Sequence, residues 1–278
     1  MDRYFEIKKR LLSMAEREEN IYAVIAIGSS TRSYSEADEF SDIDLILVCK
    51  STNEWLFGNL PAQLGEIRIS FIESTLGGAL ERRILYNGSL DVDLVPLTQD
   101  QFESMINNGI ACEVMGRGYT VLYDCVDIKK LIENRVETSV HYSAMTEKEF
   151  VNLINDFWYH VVWTSKKILR GELWTAKMCI DAYLKNHLLK IIELDRAKAE
   201  KADVWHSGRF LEKWAGEETV KALASCFSHY EKEDMISALF NTAELFGTLA
   251  RSAAQKCFYE YPIQEENYAL SLLRNYFT

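Results

Sequence analysis

The sequence predicts an α+β chain: a mixed-sheet domain over residues 1–135, then an all-α helical bundle over residues 136–278. Three observations carry this. Two apolar runs, Ile21–Ile27 and 43–48, have strand length and are separated by a polar stretch. Asn87-Gly88 divides two further short runs, 79–86 and 90–97, and reads as a hairpin turn. From about Val126 helical periodicity takes over, with few glycines and a single proline, Pro262. With 278 residues, 48% of them apolar, the chain can bury two cores.

The elements follow in order. Residues 2–19 place Phe5, Leu11 or Leu12, and Ala15 at helical spacing among mixed charges, so they read as an amphipathic helix. Residues 21–27 form a buried strand, 29–41 a polar loop and 43–48 a second strand. The alternation of Ile67, Ile69 and Phe71 makes 66–73 a third strand, and Gly77-Gly78 breaks it from the hairpin. Residues 99–106 read as a helix and 119–123 as a further apolar strand. Helices are expected near 126–138, 147–170, 172–194, 207–214, 217–230, 232–258 and 265–276. The C-terminal aromatics Phe258, Tyr259, Tyr261, Tyr268, Tyr276 and Phe277 read as bundle core.

Composition narrows the function classes. The net charge is −11, and acidic residues exceed basic ones in both halves, which argues against nucleic acid as a partner and suits a small cationic substrate. Six cysteines are scattered without a C-x-x-C pair, which fits buried free thiols in a reducing cytoplasm rather than zinc or disulfides. The first ten residues are too polar for a signal peptide, and no apolar run approaches a membrane span.

The informative motif is Gly28-Ser29 followed by Asp42-Ile43-Asp44. In an extended chain residues two apart share a face, so Asp42 and Asp44 project together. Adjacent carboxylates repel, and a divalent cation resolves the conflict; Mg²⁺ favours carboxylates together with substrate phosphates. Gly28 permits a tight turn at the strand end, and Ser29 supplies a hydroxyl for phosphate oxygens. A third carboxylate comes from 90–97, as Asp91 or Asp93. Three carboxylates on neighbouring strands suit two metal ions and phosphoryl-type transfer. No G-x-x-x-x-G-K-[S/T] loop is present, which disfavours a P-loop kinase.

The run from Ala26-Ile27-Gly28-Ser29 to Asp42-Ile43-Asp44 resembles the polymerase-beta-type nucleotidyltransferase signature. More narrowly, the chain resembles the bacterial aminoglycoside 6-adenylyltransferases, or streptomycin adenylyltransferases. The matching features are Asp38-Glu39-Phe40, Asp91 to Pro96-Leu97, Asp156-Phe157-Trp158, Lys166 to Arg170-Gly171-Glu172, and Tyr259-Glu260-Tyr261-Pro262. The resemblance implies a polymerase-beta-like nucleotidyltransferase domain ahead of a helical substrate-binding domain. It implies transfer of AMP from ATP, with two Mg²⁺ ions, to an aminoglycoside hydroxyl. Gly28 and Ser29 would bind the triphosphate, and Asp42 and Asp44 the metal. Asp91 matches the third carboxylate by its distance to Pro96, with Asp93 on the same face as runner-up. The family often carries Arg directly after Gly-Ser; here that position is Ser30, and Arg32 follows two residues later. Other acceptors within the superfamily are a lincosamide or a protein side chain, and a catalytically silent nucleotide-binding regulator is the alternative of a different class.

The helix near 147–170 has two faces. Phe150, Leu153, Ile154, Phe157, Val161 and Ile168 form an apolar one. Asp156, Tyr159, His160, Trp163, Lys166, Lys167 and Arg170 form a polar-aromatic one. That second face reads either as solvated surface or as a ligand wall. In the second reading Asp156 pairs with substrate ammonium groups, His160 and Trp163 line the wall, and Lys166 or Arg170 offsets triphosphate charge. Glu172 is either a substrate acid or the cap of the next helix.

Overall fold

Residues 21–27 and 43–49 are dominated by Ile, Val, Leu and Ala, a composition that suits strands buried on both faces. They become inner strands of a six-stranded sheet. The computed structural model describes residues 3–17, 20–31, 38–75, 77–136, 145–200, 204 and 207–277. The chain divides into two compact units, residues 1–141 and 142–278.

The first unit runs α1 (Phe5–Arg17), β1 (Ile21–Ile27), β2 (Ile43–Cys49), α2 (Asn53–Leu56), β3 (Ile67–Ser74), β4 (Leu80–Tyr86), β5 (Leu90–Leu97), α3 (Gln99–Asn107), α4 (Ile110–Met115), β6 (Thr120–Asp124) and α5 (Ile128–Arg135). The strand order is β3-β4-β5-β2-β1-β6. β2 and β5 are parallel, and every other neighbouring pair is antiparallel, so the sheet is mixed as expected. The β4–β5 hairpin turns over Asn87, Gly88 and Ser89, with Gly88 and Ser89 at φ 82° and 57°. The helices α2 and α4 were not expected; four and six residues are too few to display a helical period.

Period-two alternation sorts the sheet's faces. On one face, Ile7, Leu11, Met14 and Ala15 of α1 pack with Val24, Ala26, Leu45, Leu47, Val92 and Leu94. On the other, Ile25, Ile46, Val48, Val95 and Leu97 pack against α3, α4 and α5 through Phe102, Ile106, Met115, Ile128 and Ile132. Asp44 has the parity of Ile46, and Asp93 that of Val95. Both therefore belong to the second face, Asp44 at the start of β2 and Asp93 where β5 begins to pair with it.

The second unit is helical: α6 (Glu147–Leu169), α7 (Leu173–Met178), α8 (Leu184–Glu200), α9 (Leu211–Trp214), α10 (Glu217–Leu223), α11 (Lys232–Cys257) and α12 (Ile263–Phe277). A capping box starts α6: the Glu149 N–H donates to Thr146 Oγ1 at 3.3 Å, and the Thr146 N–H donates to Glu149 Oε2 at 2.8 Å. The core joins Phe150, Phe157 and Val161 of α6 to Leu188 and Ile191 of α8, Leu239 and Phe246 of α11, and Leu273 of α12. The helix expected over 172–194 is interrupted by a π-helical turn at Cys179–Tyr183, which joins α7 to α8. Two of the C-terminal aromatics are not core. Phe258 ends α11 in a left-handed conformation and is 95% exposed, and Tyr268 is 68% exposed. Tyr259, Tyr261 and Phe277 do pack against the core. Among the described residues, no helix is long and apolar enough to cross a membrane.

Candidate functional site

The parallel pairing of β2 with β5 sets Ile43 against Val92 and Asp44 against Asp93. One carboxylate oxygen from each of Asp42, Asp44 and Asp93 lies within 4.8 Å of the others. Asp91 is outside this group, so the geometry favours the runner-up, Asp93, as the third carboxylate. The reason is register. Asp91 falls ahead of the first β2–β5 ladder pair, is exposed, and donates its N–H to the Tyr4 hydroxyl at 3.2 Å. Asp93 is one pleat further in and only 3% exposed.

Burial pushes the Asp93 carboxyl up to about 7; Arg83 opposes this, and the Asp44 and Asp42 charges add to it. Arg83 Nη2 lies 2.9 Å from Asp93 Oδ2, while its Nε lies 2.8 Å from Glu73 and 3.3 Å from Glu81. One guanidinium shared among several carboxylates leaves net negative charge at the cluster. Three hard oxygen donors at this spacing fit Mg²⁺.

Two features beside the cluster fit a phosphate. Gly28 has φ +80°, and a Cβ built on it would run into Asp44 Oδ2, so the β1 end turns directly against the second Asp. Ser29 opens a one-turn 3₁₀ segment, Ser29–Thr31, held by the Thr31 N–H donating to the Gly28 carbonyl at 3.2 Å. The Ser29 hydroxyl is buried and has no hydrogen-bond partner among the described residues. An orphaned buried hydroxyl next to a carboxylate triad suits a phosphate oxygen as its acceptor. Arg32 lies outside the described residues.

In the second unit the structure gathers Asp156 and His160 of the expected wall with two residues that sequence reasoning missed. His160 Nδ1 lies 2.6 Å from Asp156 Oδ1, and His187 Nε2 lies 3.0 Å from Asp156 Oδ2. The Tyr183 hydroxyl, at the end of the π turn, donates to the same carboxylate at 3.0 Å. Burial opposes the Asp156 charge, but hydrogen bonds from His187 and Tyr183 outweigh it and hold the carboxyl below the usual aspartate range. The i, i+4 spacing of Tyr183 and His187 was the available signal. A π turn inside a helix pair frequently marks a functional position.

Asp156, Tyr183 and His187 line a cleft of about 1340 Å³, together with Glu149, Lys190 and Glu193. Burial pushes the Glu193 carboxyl up to about 7, against the attraction of Lys190. The protonated form is therefore favoured in the fold, and the stability it brings is lost as pH rises from the ordinary glutamate range through 7. Glu193→Gln is expected to flatten the pH dependence of thermal unfolding over that window and to raise the melting midpoint at pH 8. An unchanged pH profile would place the titration elsewhere.

The remaining wall residues lie toward the C-terminal end of α6. Trp163 is half-buried, with the Lys167 ammonium 5.1 Å from its ring centroid. Glu172 occupies the N-cap position of α7 without making a side-chain cap bond; its carboxylate pairs with Lys167 at 2.6 Å and Arg170 at 2.8 Å. Lys166 and Arg170 are exposed.

The family model for streptomycin adenylyltransferase matches residues 1–275. A curated aminoglycoside 6-adenylyltransferase of Bacillus subtilis (strain 168) is 21% identical over 273 residues, spanning 94% of this chain and 93% of that protein. The crystal structure of an aminoglycoside 6-adenyltransferase from Bacillus subtilis aligns with a TM-score of 0.47 at 17% identity, covering 99% of this chain and 98% of that one. A nucleotidyltransferase-like protein from Exiguobacterium sibiricum 255-15 aligns with a TM-score of 0.31 at 12% identity, covering 91% and 78%. A family match that runs the length of the chain, across both the carboxylate triad and the helical cleft, makes this chain a member of the streptomycin adenylyltransferase family of nucleotidyltransferases.

Proposed function

We propose that the chain transfers AMP from ATP to a hydroxyl of a streptomycin-like aminoglycoside and releases pyrophosphate. The observation that carries this is the convergence of Asp42, Asp44 and Asp93 beside the Gly28–Ser29 turn. The first unit is the nucleotidyltransferase domain in this reading, and the helical unit holds the acceptor.

The acceptor oxygen forms a bond to the α-phosphorus as the bond from that phosphorus to the β-phosphate bridging oxygen breaks. Asp42, Asp44 and Asp93 would hold Mg²⁺, which would supply charge neutralisation for the triphosphate and acidity for the acceptor hydroxyl. Ser29 donates its hydroxyl to a phosphate oxygen, and Gly28 keeps the turn close enough for it to do so. Asp93, the most deeply buried carboxylate of the three, is the group assigned to take the hydroxyl proton. Arg83 holds Asp93 in place through the 2.9 Å contact.

The acceptor site is the cleft around Asp156. Asp156 and Glu149 provide negative charge for ammonium or guanidinium groups, the Glu193 carboxyl provides a hydrogen-bonding group, and Tyr183 provides a ring for a sugar face, with His160 and then Trp163 stacked beside it. The test is a panel of aminoglycosides and lincosamides incubated with ATP labelled at the α-phosphate and Mg²⁺. Label is expected on streptomycin or a close relative, with pyrophosphate released in equal amount. Label on a lincosamide, or on the protein or a protein partner alone, would replace the acceptor; no transfer to any acceptor would leave a nucleotide-binding regulator.

A further inference from the structure

Tyr4 stands immediately ahead of α1 and is 7% exposed. Its hydroxyl donates to the Ser41 carbonyl at 2.8 Å and accepts from the Asp91 N–H at 3.2 Å. Both partners lie just outside the β2–β5 ladder, whose first pair is Ile43 with Val92. Ladder hydrogen bonds hold parallel strands together only where the ladder runs; ahead of its first pair the two chain segments can splay. Ser41 adjoins Asp42, and Asp91 is one pleat before Asp93. The phenol therefore bridges the starts of β2 and β5 directly beside the carboxylates.

The bridge is stiff. A tyrosine has two side-chain torsions, and this ring is fixed in the core formed with Ile7, Leu11 and Ile43. Its backbone carbonyl accepts the Lys8 N–H at 2.9 Å, tying it to the first turn of α1. On the other side, Ser41 Oγ donates to Asp38 Oδ1 at 3.0 Å, which steadies the approach to β2. Three carboxylates within 4.8 Å repel one another, so the strand starts that carry them are pushed apart where the ladder is missing.

We infer that Tyr4 is a positioning residue for the carboxylate triad: its hydroxyl acts as an added rung between the starts of β2 and β5, and it sets the separation of Asp42 from Asp93 before a cation arrives. The inference rests on the proposed role of those three residues as cation ligands. A cation meeting an already gathered set binds more tightly than one that must draw the strands together. The ring itself is packing; the hydroxyl is the positioning group.

Tyr4→Phe separates the two, because it keeps the ring and removes both hydrogen bonds. Mn²⁺ affinity is read by electron paramagnetic resonance of the free ion, with and without a non-hydrolysable ATP analogue, and backbone amide exchange is read over residues 41–44 and 91–93. The variant is expected to bind Mn²⁺ about five- to tenfold more weakly, with faster exchange in both segments and a melting midpoint within a few degrees of the parent. Raising the metal concentration should restore most of kcat. Ile7→Val, a packing change in the same helix, should lower the melting midpoint and leave Mn²⁺ affinity unchanged. Equal Mn²⁺ affinity in Tyr4→Phe and the parent overturns the inference, as does unchanged exchange in the two segments. If the parent itself binds no Mn²⁺, the cation reading of the triad fails and takes this inference with it. Faster exchange in Tyr4→Phe would then still report the rung.

Discussion

Asp44→Asn is expected to lower AMP transfer by about a thousandfold or more, equivalent to roughly 4 kcal/mol of transition-state stabilisation, while the metal-free protein becomes slightly more stable. The two effects have one origin. Asp44 stands in register with Asp93 across β2 and β5 and shares a 4.8 Å cluster with it and Asp42. Like charges at such a distance repel by several kcal/mol in an environment of intermediate dielectric, up to about 4 at 4 Å. Asparagine keeps the shape and relieves that repulsion, so thermal unfolding without metal should move upward. The amide oxygen is a poor substitute for a carboxylate towards Mg²⁺, so the same change removes metal-dependent transfer and the stabilisation that added Mn²⁺ gives the parent. Transfer of labelled AMP and paired melting curves with and without Mn²⁺ test both halves. Retained transfer would remove the triad from the chemistry; a large loss of stability would mean Asp44 is needed by the fold.

What the sequence could and could not disclose about this site follows from range. Asp42 and Asp44 are a local pattern: two residues apart where a strand begins, they share a face whatever the rest of the chain does. The third carboxylate is not local. Asp91 and Asp93 have the same parity and both precede Pro96, so sequence spacing favours neither decisively. The decision belongs to the parallel register Asp44↔Asp93, made between strands separated in sequence by β3 and β4. Arg83 is hidden from sequence spacing for the same reason, since its contact with Asp93 is made across the β4–β5 pair. In the helical unit, Asp156 and His160 are one turn apart and were legible as members of one helix face. Tyr183 and His187 reach the same carboxylate from another helix, and the π turn that delivers Tyr183 leaves no break in the apolar pattern. Strands of six or more residues and helices longer than two turns were legible. The short α2 and α4 were not, because one turn carries no period.

Gly28→Ala should damage transfer far more than Gly88→Ala, and the second variant shows how to read the first. Both glycines have nearly the same backbone, at φ +80° and +82°. Holding an L side chain in the left-handed region costs about 1 kcal/mol at either position. They differ in what the new Cβ meets: at Gly88 there is nothing within 4 Å, whereas at Gly28 it runs into Asp44 Oδ2. The Gly88 variant should therefore lose about 1 kcal/mol of stability and keep its activity. The Gly28 variant must in addition displace the Asp44 carboxylate from its cluster or lift the Ser29 turn away from it. Either movement breaks the geometry that joins the Ser29 hydroxyl to the triad. Transfer should fall at least about a hundredfold, because misplacements of about an ångström in a positioned site cost this much. The loss should appear in kcat and in Mn²⁺ affinity together, and saturating ATP should not repair it. Equal activity in the two variants would show that the β1 turn tolerates a side chain against Asp44. The tight approach of strand end to carboxylate would then be packing rather than part of the site.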